Sequence, residues 1–423
     1  MPGRPANILR LFPLTAGVDD GELRLGGLTA RELLDAHGSP LVVYDEATVR
    51  AQARAYRAAA PDAFVCYGAK AFPNVALMRI LAEEGIGADV STAGEFRFAE
   101  AAGITGERLV VHGNNKSDEE LGAAATAGSL VVVDSLEEVV RARETGVART
   151  LIRVTPGIDA DTHEAIRTAH HGSKFGLPPD DALEALRLAP ETEGLHVHVG
   201  SQLLDSGAAL MAVDWMATFA ARARAELGWE LRTIDLGGGL GVPTSLDDPQ
   251  LDVEAFVPAL LAELERACEQ QDIPHPGVVL EPGRSLVGRA GVTLYRVGAV
   301  KETAAGRTWV AVDGGLSDNP RPALYGARYA ALLANRADEP PHGTYAVAGK
   351  HCESGDVLID RVELPEPRRG DILAVPATGG YTLAMGSNYN AVPRPAVVLV
   401  RDGNATVIRR RETIDDLLAL ESY

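Results

Sequence analysis

The chain reads as an α/β protein: a (β/α)8 barrel over residues 45–290, with residues 1–44 and 291–423 forming a second, mostly β domain, a Greek-key-like barrel or sandwich. Two observations carry this. Between residues 63 and 284 a short apolar, β-branched run is repeatedly followed by a longer Ala/Leu/Glu-rich helical stretch. Continuous apolar strands alternating with helices imply a parallel sheet covered on its faces. Eight such units close a barrel, and about 220 residues is near its usual size. An open doubly wound sheet is the alternative with the same strand number. Beyond residue 290, by contrast, helical stretches mostly give way to strands broken by Gly and Pro.

Taken in order, Thr29-x-x-Glu32 is a capping box that opens a short helix, and Gly38 closes it. The next run, Leu41–Tyr44, precedes the barrel strands and is a candidate to pair with the C-terminal β domain. The eight barrel runs are Phe64–Lys70, Gly87–Thr92, Leu109–Asn115, Leu130–Ser135, Thr150–Pro156, Leu195–Gly200, Thr233–Gly239 and Val278–Gly283. After them come Val292–Val300, Thr308–Asp313, Thr344–Ala348, Val357–Leu364, Asp371–Pro376 and Ala396–Arg401. The last reads as a hairpin with Ala405–Arg409 across Asp402-Gly403-Asn404.

Composition narrows the function. A net charge of −19, with no basic stretch carrying interleaved aromatics, argues against nucleic acid or an anionic membrane as partner. Met1–Pro5 lacks the apolar core of a signal peptide, and no apolar run is long enough to span a bilayer. Three widely spaced cysteines, Cys66, Cys268 and Cys352, suit a reduced compartment and form no zinc pattern. A soluble, cytoplasmic protein with a small-molecule substrate is expected.

Polar groups gather at the strand ends: Lys70, Asp89, Ser91, His112, Asn114, Asp134, Arg153, His198, Gly237–Gly239, Glu281 and Arg284. Barrel active sites form there. Lys70 ends a buried-looking strand, where an ammonium is neutralised or used; a desolvated lysine forms Schiff bases with carbonyls, and a snorkelling lysine is the alternative. Gly237, Gly238 and Gly239 offer backbone N–H groups to an anion, or simply make a tight turn. Glu281-Pro282-Gly283-Arg284 offers a carboxylate for a pyridine nitrogen and a guanidinium for an anion, or a local ion pair. His196 and His198 lie two apart on a strand. They suit a metal only with further ligands, of which His112 alone is available, so no metal is expected; an imidazole lying against a cofactor ring fits better. Arg321 between Pro320 and Pro322, followed by Tyr325, is a fixed fork for a carboxylate or a plain loop arginine. Cys352 beside Glu353 in a polar turn is a candidate proton donor. Thr378–Tyr381 and Met385–Asn390 have the texture of a binding loop.

In this order, Tyr67-Gly68-Ala69-Lys70, His198-Val199-Gly200-Ser201-Gln202, the triple glycine, Glu281-Pro282-Gly283-Arg284, Cys352-Glu353-Ser354-Gly355-Asp356 and Ser387-Asn388-Tyr389-Asn390 resemble the diaminopimelate decarboxylases. These are pyridoxal-phosphate enzymes sharing the alanine-racemase fold, and the resemblance covers roughly residues 25 to 415. It implies that Lys70 forms the Schiff base with pyridoxal 5′-phosphate and that His198 stacks on its ring. Gly237–Gly239 and the backbone around Glu281–Arg284, with Gly283 and Ser201 nearby, would hold the cofactor. Glu281 would face the pyridine nitrogen. Arg284, Arg321 and Tyr325 would grip the distal end of the substrate, and Tyr381 would touch cofactor and substrate. Cys352 and Glu353 resemble a pair supplied across a homodimer, thiol as proton donor and carboxylate on the distal amino group. Gly68 for the family's frequent Ala, and Gly380 in Thr-Gly-Gly-Tyr for Thr-Gly-Ala-Tyr, are departures that remove no functional group. The implied reaction converts meso-2,6-diaminopimelate to lysine and CO2 in lysine biosynthesis. Decarboxylases of ornithine, arginine or carboxynorspermidine are the near alternatives, with an amino-acid racemase and a catalytically silent cofactor-binding relative behind them. Arg321 opposes the cationic distal ends of ornithine and arginine.

Overall fold

The computed structural model describes residues 7–157 and 173–422; Met1–Pro5, read above for a leader, lies outside them. The chain forms two compact units. One comprises Arg50–Gly241 and Gln250–Leu286, the other Met1–Val49, Val242–Pro249 and Val287–Tyr423. The stretch Val242–Pro249, inside the span expected for the barrel, thus belongs to the other unit.

In the first unit eight parallel strands close a barrel: Phe64–Gly68, Gly87–Val90, Leu109–Val111, Leu130–Val133, Arg149–Arg153, Gly194–His196, Thr233–Asp235 and Gly277–Leu280. Closure is made where Val279 and Leu280 pair with Phe64 and Val65. Cys66, Val110, Leu130, Val132, Leu151 and Val279 form a buried apolar cluster from five of these strands. The open-sheet alternative is thereby excluded. Most strands stop short of the sequence-read runs, because the polar residues at their ends turn away from the ladder to do other work. The βα turns are fixed by helix caps. Asn74, Thr92, Ser117 and Ser135 each accept from a backbone N–H in the first turn of the following helix.

The second unit is mostly β. Leu41–Asp45 runs antiparallel to Gly291–Glu302 and parallel to Ala396–Arg401, so it pairs with the C-terminal strands as its position suggested. These belong to a nine-stranded sheet that branches at Gly291–Glu302, whose first half bonds Ile372–Val375 and whose second half bonds Thr308–Val312. The hairpin after Ala396–Arg401 turns through Asp402 and Gly403, with φ of +48° and +74°. Both central residues are left-handed, the type I′ geometry that Asp-Gly favours. The Thr29/Glu32 capping box forms, and Gly38 ends the helix Ala30–His37. A three-stranded sheet, Gly17–Asp19, Glu22–Leu25 and Leu28–Thr29, was not anticipated.

Candidate active site

At the C-terminal mouth of the barrel the strand-end residues meet as one network. The first strand ends at Gly68, and a single turn, Ala69–Ala71, carries Lys70 outward. Its side chain is 45 % exposed, so the expectation of a desolvated lysine is corrected. Its Nζ donates to Asp89 Oδ2 at 3.1 Å, and that carboxylate is buried on the second strand. Asp89 Oδ1 lies 3.8 Å from His112 Nε2, just past the third strand. His112 Nε2 in turn makes a short contact with Glu281 Oε1, at the end of the eighth. The other oxygen, Oε2, lies 3.4 Å from His196 Nε2, and the two imidazoles meet edge to face at 4.8 Å. Contacts therefore run unbroken from the Lys70 amine to the Glu281 carboxylate.

Burial and charge divide the ionisable groups of this network. Burial pushes Glu281 up, but the attraction of His112 and contacts from His112 and His196 outweigh it and hold the carboxyl well below its usual range. Asp235, on the seventh strand, is pushed well up by burial and by the negative Glu281 beside it. Burial lowers His196 to about 3, so its ring is neutral. His198 is lowered well below its usual value by burial and then by the Lys70 charge. Arg153 is pulled down by burial, opposed chiefly by Asp134 at 3.9 Å, and its guanidinium stacks over Phe175 at 4.5 Å.

The triple glycine is required by its surroundings. Gly237 and Gly239 have φ of +64° and +113°, and a Cβ on Gly238 would fall 2.1 Å from the Glu281 carbonyl oxygen. Asp235 Oδ1 accepts from the Gly237 N–H at 2.8 Å, and His198 Nδ1 accepts from the Gly238 N–H at 3.3 Å. Leu203 bonds along the same turn through Gly239 O, which brings the His198–Ser201 loop beside it. The barrel ladder ends at His196, so His196 serves Glu281 inside the barrel while His198 serves the glycine turn.

The β unit holds the remaining candidates. Arg321 is buried, donates Nε to Tyr329 Oη at 3.1 Å, and lies 5.6 Å from the Tyr325 ring centre. Among the described residues its two terminal amino groups make no hydrogen bond. Cys352 and Glu353 are exposed on a turn closed by Asp356, whose carboxylate accepts from the N–H groups of Leu316 and His351. Asn390 Oδ1 accepts from the Cys352 N–H at 3.2 Å, which joins this turn to the Ser387–Asn390 loop. Tyr381 takes a left-handed φ of +59°, next to a Gly379–Gly380 turn in which a Cβ on Gly379 would sit 1.9 Å from Val287 O.

The family model for the pyridoxal-binding domain of pyridoxal-dependent decarboxylases matches residues 46–288. The chain is 46 % identical to a diaminopimelate decarboxylase of Actinosynnema pretiosum subsp. auranticum, over 100 % of this chain and 97 % of the relative. It is 40 % identical to that of Bacillus subtilis strain 168, over 95 % of each. The chain belongs to the diaminopimelate decarboxylase family. A crystal structure of the M. jannaschii diaminopimelate decarboxylase in complex with L-lysine superposes with a TM-score of 0.89 at 32 % identity, covering 97 % of this chain and 98 % of that one.

As a pyridoxal-dependent decarboxylase the chain takes pyridoxal 5′-phosphate, and the barrel mouth fits that group. An ionised, buried carboxylate suits a protonated pyridine nitrogen. A lysine amine stands on the same network, and the glycine turn packs against the Glu281 backbone. Asp89 Oδ1, Asp235 Oδ2 and both nitrogens of His196 are buried without hydrogen-bond partners among the described residues, so the mouth has polar capacity to spare. His112, His196, Asp235 and Glu281 also place one donor each within 4.8 Å of one another, a set a cation could use. Strand-end position in the sequence pointed to Lys70, His198 and Glu281, which the structure places at the barrel mouth. The buried place of Asp235 in this network was missed because its motif was read for glycines, and the buried Lys116–Glu138 pair (3.0 Å) beneath the Asp134 turn had no local signal.

Proposed function

We propose that this decarboxylase acts on meso-2,6-diaminopimelate, releasing CO2 and L-lysine as the last step of lysine biosynthesis, with the roles of its side chains as follows. The observation that carries the reading is the Glu281 carboxylate held ionised between two histidines and linked through Asp89 to Lys70. When bound, pyridoxal phosphate supplies an aldehyde for the substrate amine and a ring that accepts the electrons of the broken carbon–carboxylate bond. Lys70 is its attachment point, and Asp89 keeps that amine oriented. Glu281 retains the proton on the pyridine nitrogen, and His198 presents its neutral ring to the cofactor. Gly237, Gly238, Gly239 and the backbone from Glu281 through Gly283 to Arg284 would hold the phosphate, with Ser201 also at the cofactor.

The substrate end rests on Arg284, Arg321, Tyr325, Tyr381 and Glu353. Tyr329 fixes the Arg321 guanidinium, leaving its fork for the distal carboxylate, and binding energy there orients the scissile bond. Cys352 delivers the proton that replaces CO2. Its exposure and that of Glu353 support a homodimer in which these groups serve the neighbouring chain. The free state of Cys66, Cys268 and Cys352 supports a cytoplasmic location, and no described helix is long and apolar enough to cross a membrane. We place the cofactor domain at residues 45–290, apart from Val242–Pro249, and the second domain at 1–44 with 291–423 and that stretch.

The test is an absorbance spectrum before and after borohydride, peptide mapping, and CO2 release from meso-diaminopimelate. Reduction is expected to fix the cofactor on Lys70, with lysine as product. A colourless protein that releases no CO2 when supplied with pyridoxal phosphate would overturn the reading. Arg321→Ala is expected to lower kcat/KM about tenfold to a hundredfold, chiefly through KM, as loss of a charge-assisted pair implies. An unchanged value would favour a substrate without the distal carboxylate.

A further inference from the structure

His112 touches neither cofactor nor substrate in the mechanism above, yet it stands at the middle of the network. Its backbone N–H bonds to Val90 O at 2.8 Å and continues the barrel ladder, so the ring is carried on fixed backbone. Its Nε2 faces Glu281 Oε1 on one side and Asp89 Oδ1 on the other. On its outer side it lines a cavity of about 210 Å³ with Ser91, Thr92, Phe96, Val111 and Glu120. Of the two imidazoles against Glu281, it makes the closer contact. A buried carboxylate that loses its donor either reorients or takes up a proton. Either change at Glu281 reaches the cofactor at the ring nitrogen, which this carboxylate faces in the reading above.

We propose that His112 is a positioning residue that holds Glu281 in place for the cofactor's ring nitrogen and couples it to the Lys70–Asp89 pair. The inference rests on the cofactor reading above and deepens it. Its signature is selectivity: the histidine matters for a ring that has a nitrogen and not for one that lacks it. The experiment is equilibrium binding to cofactor-stripped protein of pyridoxal phosphate and of its 1-deaza analogue, in which carbon replaces that nitrogen.

His112→Phe and His112→Asn are expected to weaken pyridoxal phosphate about tenfold, the scale of one charge-assisted hydrogen bond. Binding of the deaza analogue should change less than about twofold on the same scale. His112→Gln, whose amide nitrogen reaches the place of Nε2, is expected to recover most of the loss. Equal weakening of both ligands in the Asn variant would mark a merely structural role and overturn the proposal. So would no weakening of either. If wild-type protein failed to bind pyridoxal phosphate at all, the cofactor reading itself would have failed, an outcome distinct from both.

Discussion

The two units handle reactive groups in opposite ways. The barrel sends its polar side chains from strand ends into a buried network, where Asp89, His112, His196, Asp235 and Glu281 are all less than a tenth exposed. The β unit presents Cys352 and Glu353 on a surface turn whose shape is set by backbone bonds to Asp356 and Asn390. Buried charges are costly unless each has a partner, so the barrel groups are interdependent and their ionisation is tuned by neighbours. Groups on a solvated turn are free of that constraint. They can be changed without unfolding anything, and their chemistry depends on what is brought to them.

The sharpest way to break this contrast is at Lys70, the one exposed member of the barrel network. Lys70→Ala is expected to lower kcat about a thousandfold or more, since no other residue replaces the attachment amine. Stability should fall by about 1–3 kcal/mol, because the buried Asp89 carboxylate loses its cationic partner. Steady-state assays with denaturation of the same preparation check both halves. A variant retaining a tenth of the activity would remove Lys70 from its role.

The β unit has one buried acid that behaves like the barrel groups. Asp318 accepts from the Gly315 N–H at 3.0 Å and pairs with Tyr295 Oη at 2.5 Å, and burial raises it to about 7. Between the ordinary aspartate value and 7, the folded state keeps a proton that the unfolded state has lost. Stability from this group is therefore present at low pH and falls as pH rises from about 4 to 7, by up to about 4 kcal/mol. Asp318→Asn keeps the protonated shape and should flatten that slope. Urea denaturation of both proteins across the range measures the difference; parallel curves would mean Asp318 is ionised throughout.

Cys352 tests the opposite pole. Cys352→Ala is expected to lower kcat about a hundredfold, the range of a lost proton donor. Its stability should stay within about 0.5 kcal/mol of wild type, as at other surface positions. Solvent isotope effects on kcat would confirm that the lost step is a proton transfer. A large stability loss would place the thiol in packing after all.

Legibility in the sequence follows the same division. The eight barrel strands could be read because β-branched runs between helical stretches have one compact solution. Their ends could not, since Lys70 and Thr92 look like continuations of a strand until hydrogen bonding shows them leaving it. His112 and Glu281 were each legible as strand-end residues, whereas their contact spans 169 positions and depends on barrel closure. The N-terminal sheet was missed because Gly17–Asp19 and Leu28–Thr29 are too short to show alternation. Cys352 and Glu353 were found through a motif, since a solvated turn leaves no periodic trace.

The smallest expected effect isolates packing from chemistry by comparing one glycine from each unit. An alanine Cβ at Gly238 would sit 2.1 Å from the Glu281 carbonyl oxygen and 3.0 Å from its carbon, so backbone must move. Such overpacking costs about 1–3 kcal/mol. At Gly355, on the Cys352 turn, the nearest atom to a new Cβ is Glu353 Oε1 at 3.9 Å, and the change should cost less than about 0.5 kcal/mol. Urea midpoints of the two variants give the comparison directly. The Gly238→Ala loss should be accompanied by weaker pyridoxal phosphate binding, because the displaced backbone is that of Glu281 itself. Equal costs at the two sites would mean that the glycine turn yields without disturbing Glu281, and the barrel network would then be softer than its burial implies.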